Sequence, residues 1–141
     1  MKDVAILYPV FAQVALTYFL LFNMAFNRVQ SMRTGTVVSK GKDQKPEWPA
    51  NAAKASDSYH NQFELPVLFY AVVALSLITG KADETMVMLA WIFVAFRAVQ
   101  ALIHITYNRI IPDRFVAFLI GKLTLLAMWV WFYLSVNAAA P

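Results

Sequence analysis

A 24-residue run from Val4 to Asn27 carries no charged side chain, and this constrains the chain more than any other feature. About 18 such residues are enough to suggest a helix that crosses a membrane, where ~30 Å of hydrocarbon is traversed at ~1.5 Å per residue. Three further runs share the pattern. Leu65 to Gly80 is apolar behind Glu64, Thr85 to Asn108 is apolar around Arg97, and Phe115 to Ala140 is apolar around Lys122. Of the 141 residues 60% are hydrophobic and 14% charged, whereas a soluble domain carries about 25% charged residues. The expectation is an integral, multi-pass membrane protein.

The second run is short, but Glu47-Trp48-Pro49 reads as a helix start with Pro in the first turn. Residues 50–62 then form the polar lower end of the second helix. The expected spans are about 4–27, 57–80, 85–108 and 115–138, in a single all-α domain covering 1–141. The first run is longer than a signal-peptide core of about 7–15 residues, and it is expected to be retained. Two connections are short, Gly80 to Glu84 and Arg109 to Arg114, which makes successive helices antiparallel neighbours in an up-down-up-down four-helix bundle. Asp83 and Asp113 are placed to cap the third and fourth helices.

The formal charge of +4 reads as topology, not nucleic-acid binding. Arg28, Arg33, Lys40, Lys42, Lys45, Lys54, Arg109, Arg114 and Lys122 lie on one side, against Lys2 and Lys81 on the other. By the positive-inside rule the basic loops face the cytoplasm and both termini lie outside, in the inner membrane for a bacterial chain. The chain has no cysteine, so disulfides and thiolate ligands do not arise.

Polar residues that interrupt the spans are the candidate functional groups. Lys54, Asp57, Asn61 and Glu64 fall on one face of the second helix, and Arg97, Gln100, His104 and Asn108 on one face of the third. Asn23, Asn27 and Gln30 do so on the first. An unpaired charge at mid-bilayer costs at least ~2.5–3.5 kcal/mol, so such groups face protein or water and find partners. Glu64 and Arg97, opposite in sign and similar in depth, are expected to meet, directly or through Gln100 or a water. Their alternative role is to fix helix register without touching a ligand. His60, Glu64 and His104 are too few, without cysteine, to indicate a metal site.

Asn61-Gln62-Phe63-Glu64, followed by Pro66 and an aromatic-aliphatic run, resembles the second-helix signature of the MAPEG family, the membrane-associated proteins in eicosanoid and glutathione metabolism. The chain looks like a divergent member of bacterial type. Its length, four spans, basic first loop, central Arg97 and an Arg between the last two helices fit the same layout. The resemblance implies a homotrimer of twelve helices, binding glutathione at subunit interfaces on the cytoplasmic side. It assigns Asn61 and Glu64 to glutathione contact, Arg97 to organising the pocket with Gln100 and His104 beside it, and Arg114 to stabilising the thiolate. The implied activity is a glutathione transferase or peroxidase acting on lipophilic small molecules that enter from the membrane lipids. Two positions depart from the family's enzymes. Asp57 stands where they usually have Arg, and His104 where they usually have Tyr. A non-catalytic member that binds a lipid or partner protein is therefore the second expectation, and a proton or solute conduit along His104, Glu64 and Arg97 the third.

Overall fold

The computed structural model describes residues 4–39, 41, 44–106 and 112–138, with the side chains of 112–115 left aside. Among the described residues, five helices make four membrane-length passes. They are α1 (Leu7–Arg33), α2 (Ala50–His60) continuing through a 3-10 turn (Asn61–Phe63) into α3 (Leu65–Ile78), α4 (Glu84–Thr106) and α5 (Pro112–Asn137). All four passes are long and apolar enough to cross a bilayer. α1 packs mainly on α2 and α4, and α5 on α4 and α3, giving an all-α membrane bundle.

Local chemistry places the helix ends. α1 stops at Thr34, after which Gly35 takes φ 65°, and the Gly35 and Thr36 amides bond back to the Met32 and Ser31 carbonyls. Gly80, also at φ 65°, ends α3 the same way, with Lys81 N–H reaching the Ser76 carbonyl at 2.7 Å. Only a residue free of the Cβ penalty closes this cap cheaply. α2 begins at Ala50, directly after extended Pro49. The second helix thus starts where Glu47-Trp48-Pro49 places it, and it is interrupted at residues 61–64. Between α1 and α2, Val38 and Glu47 exchange two backbone hydrogen bonds of 3.1 and 2.9 Å that close the basic loop at its neck. Arg28 fastens α1 to this end by donating to Ser56 Oγ at 3.1 Å while lying 5.0 Å over the Trp48 ring.

At the opposite end, Asp83 serves two elements. Its carboxylate accepts the Met86 amide at 2.8 Å, capping α4 as expected, and accepts Trp131 Nε1–H of α5 at 2.9 Å. Asp113, the expected cap of the last helix, lies outside the described side chains.

The apolar core occupies the half of the bundle nearer Asp83. Phe69 of α3 stacks on Phe93 of α4 at 4.7 Å, with Val72, Met86, Leu125 and Met128 buried around them. Outward, Phe11, Tyr18, Phe19, Phe22 and Phe26 of α1 are exposed. So large an apolar face is tolerated in lipid or against another chain, not in water. The chain is an integral multi-pass membrane protein.

Replacing Asp83 with Ala is expected to lower unfolding stability in detergent by ~1–2 kcal/mol, since a cap and an interhelix bond are lost together. Trp131→Phe, which keeps the cap, is expected to cost less; equal losses would show that the cap contributes nothing.

Candidate functional site

The break between α2 and α3 has a covalent origin. Pro66, in the first turn of α3, has no N–H to give the Gln62 carbonyl, and its ring crowds the preceding turn. The chain tightens into the 3-10 turn and Glu64 leaves helical geometry at φ −90°, ψ −91°. Arg97 of α4 reaches the break at the preceding carbonyl. Its Nη2 donates to the Asn61 carbonyl at 2.6 Å, and its Nη1 to Gln100 Oε1 at 2.7 Å, one turn along its own helix. Two bonds from a charged donor are each worth ~1.5–3 kcal/mol. Together they match or exceed the ~2.5–3.5 kcal/mol that an unpaired charge costs at this depth.

Asn61, Arg97, Gln100 and His104 line one crevice, together with Ser58, Gln62 and Ala101. Ser58, Gln62, Arg97, Gln100 and His104 are all buried. Four of the residues singled out from the sequence are therefore brought together. Two donors in the crevice, Arg97 Nε and Ser58 Oγ, have no hydrogen-bond partner among the described residues. The crevice leaves no room for a water centre, whereas pockets for drug-sized ligands span roughly 300–1,000 Å³. Among the described residues of one chain this crevice does not enclose a tripeptide.

Glu64 behaves differently from expectation. It is exposed and does not line the crevice. Arg97 takes the Asn61 carbonyl and Gln100 in its place, and only a coulombic attraction links it to Glu64. The 3-10 turn and the non-helical ψ at Glu64 interrupt the register that a continuous helix would give. Asp57 and His60 are also exposed, and His60 Nδ1–H donates to the Ser56 carbonyl at 2.7 Å. Asn108 and Arg109 lie outside the described residues, as does the side chain of Arg114.

The sequence reading missed a second polar contact. Gln13 of α1, fully buried, donates from Nε2 to Gln62 Oε1 at 2.9 Å, and Gln62 Nε2 donates to the Ser58 carbonyl at 3.2 Å. α1 is thereby tied to the residue that follows Asn61. The signal was visible: Gln13 is the first amide inside the charge-free run. The expected stripe of Asn23, Asn27 and Gln30 does not reach the crevice: Asn27 bonds to Asn23 within its own helix and Gln30 is exposed.

A family comparison matches residues 6–134, nearly the whole chain, to the MAPEG family. The chain belongs to the MAPEG family. No curated protein and no solved structure matches it. In this MAPEG chain Asn61 contributes its main-chain oxygen to Arg97, while Glu64 is exposed.

Arg97→Lys is expected to destabilise the protein by about 2 kcal/mol, because an ammonium cannot span both acceptors as the planar fork does. Gln13→Leu is expected to cost ~1 kcal/mol by stranding Gln62, and Gln13→Leu with Gln62→Leu to recover most of it. Thermal unfolding in matched detergent reads both; a double variant weaker than either single would contradict the pairing.

Proposed function

We propose that this MAPEG protein binds glutathione against the Asn61–Arg97 crevice, at the junction between copies of a homotrimer, and transfers it to lipophilic electrophiles. The observation that carries this reading is the pair of buried donors, Arg97 Nε and Ser58 Oγ, that find no partner among the described residues of a crevice they line with Asn61, Gln100 and His104. Charge supports it. At the level of the helix break the sequence holds Arg97 and Lys122 against one carboxylate, Glu64, while Lys54 and Asp57 offset each other nearer the basic loops, so this layer is one negative charge short and suits an anionic tripeptide.

Glutathione would supply the thiol. The residues of this chain would do the rest: Arg97 and Ser58 donate to its polar groups, Asn61 and Gln100 hold the guanidinium in place, and His104 lines the inner wall. Arg114, at the start of α5, would stand near the sulfur and favour the thiolate over the thiol of pKa ~8.5, which makes it nucleophilic. The new carbon–sulfur bond forms as the electrophile's leaving group departs. We place the basic loops in the cytoplasm, where glutathione is available. The exposed carboxylate of Asp57 favours a second reading, in which the site holds a lipid or partner protein without catalysis.

Calorimetric titration of the purified protein with glutathione tests the first reading, and an absence of binding at millimolar concentration would sink it. If glutathione binds, Arg114→Ala should lower kcat for a generic electrophile on the order of 100-fold while changing affinity little. Asp57→Arg should tighten glutathione binding by about tenfold, the worth of one charge-assisted bond. Labelling of a Lys42→Cys variant from the cytoplasmic side only would agree with the orientation, and labelling from outside would reverse it.

A further inference from the structure

Lys122 raises a problem that one chain does not solve. It is exposed on α5, ten residues above Pro112, in a stretch that is apolar on either side. Its one described contact is with a ring: Nζ lies 3.9 Å from the centroid of Phe118. Among the described residues it makes no ion pair. Glu64 is the complementary case, an exposed carboxylate inside a membrane pass with no hydrogen bond among the described residues. Two charges of opposite sign, neither with an ion-pair contact among the described residues, on the outer surface of one membrane protein call for closer partners.

Their levels in the bundle agree. The Trp131–Asp83 bond sets the end of α5 beside the α3–α4 connection. Lys122 is nine residues, or ~14 Å, below Trp131, and Glu64 is fourteen residues, or ~21 Å, below Ile78. The ~7 Å offset is closed by the lysine itself. Helical side chains lean toward the helix N-terminus, and the ammonium is seen over Phe118, one turn or ~5 Å nearer the basic loops. Arg97, thirteen residues below Glu84, falls at ~20 Å, in the same layer.

We propose that Lys122 of one copy forms an ion pair with Glu64 of the partner subunit. The other carboxylates of the chain, Asp3, Asp43, Glu47, Asp57, Asp83, Glu84 and Asp113, sit at or near the ends of the passes. Asp57, the nearest of them in sequence, is seven residues or ~10 Å closer to the basic loops. A lipid phosphate is a poor match, because this layer lies nine residues, or ~14 Å, inside the Thr106 end of α4. The two charges lie on different elements, as a head-to-tail contact that closes into a ring requires. The pair would bring α5 of one copy against the outer edge of the helix break, three residues from Asn61, and hold Glu64 between Lys122 and the field of Arg97. The inference rests on the proposed oligomer, and it names the contact that fixes its register.

Because the chain has no cysteine, Glu64→Cys and Lys122→Cys chains can be co-expressed and oxidised in lipid without background. A disulfide-linked pair of chains should form in the mixture and not with either variant alone. An oligomer that persists in native mass measurement without this crosslink would overturn the pairing while leaving the trimer standing, and a monomer would overturn both. As a second readout, Glu64→Lys and Lys122→Glu should each lower the oligomer fraction on detergent dilution by about tenfold, and combining them should restore it. Failure of the combination to restore it would also count against the pair.

Discussion

The site depends on a hydrogen bond between a guanidinium and a main-chain oxygen. A helix in hydrocarbon must satisfy its own backbone, and Pro66 prevents that where the second pass enters the membrane. Arg97 reaches from α4 to the Asn61 carbonyl beside that break, so a charge on one helix finds its partner at the interruption of another. Neither is tolerable alone at this depth; together they fix how α2, α3 and α4 meet. Gln13 adds α1 to the same junction through Gln62. A polar node thus holds three of the four passes at the end where the basic loops lie, and an aromatic and aliphatic core holds the other end.

This division of labour relates the fold to a function. The stacked Phe69 and Phe93 and the Asp83 clasp have no need of a ligand. The apolar half leaves one buried donor, Trp129 Nε1, without a described partner, and the polar half leaves two together in one crevice. Buried donors without partners are tolerated where something else completes them, and Arg97 Nε and Ser58 Oγ are two such donors in one crevice. Membership of the MAPEG family agrees with a membrane site of this kind, and the outward-facing Glu64 and Lys122 extend the same incompleteness to the protein's surface.

Much of this was legible in the sequence because the membrane makes polarity expensive. Four charge-poor runs gave four passes, and helical spacing brought Arg97, Gln100 and His104 onto one face with Asn61 opposite. Asp83 was recognisable as a cap from its position alone. Glu64 was not legible, since its direction is set by the torsions at the break, which follow from Pro66 together with the tertiary reach of Arg97. Spacing rules assume an unbroken helix, and there the helix is broken. Gln13 escaped notice for another reason: a single amide makes no stripe, although in hydrocarbon one amide is enough to demand a partner.

The most direct test is a structure of the protein in lipid nanodiscs with glutathione. The account predicts tripeptide density between two copies, in contact with Arg97 and Ser58 of one of them. Density at a site remote from Asn61 and Arg97, or an intact oligomer with nothing bound there at saturating glutathione, would contradict it.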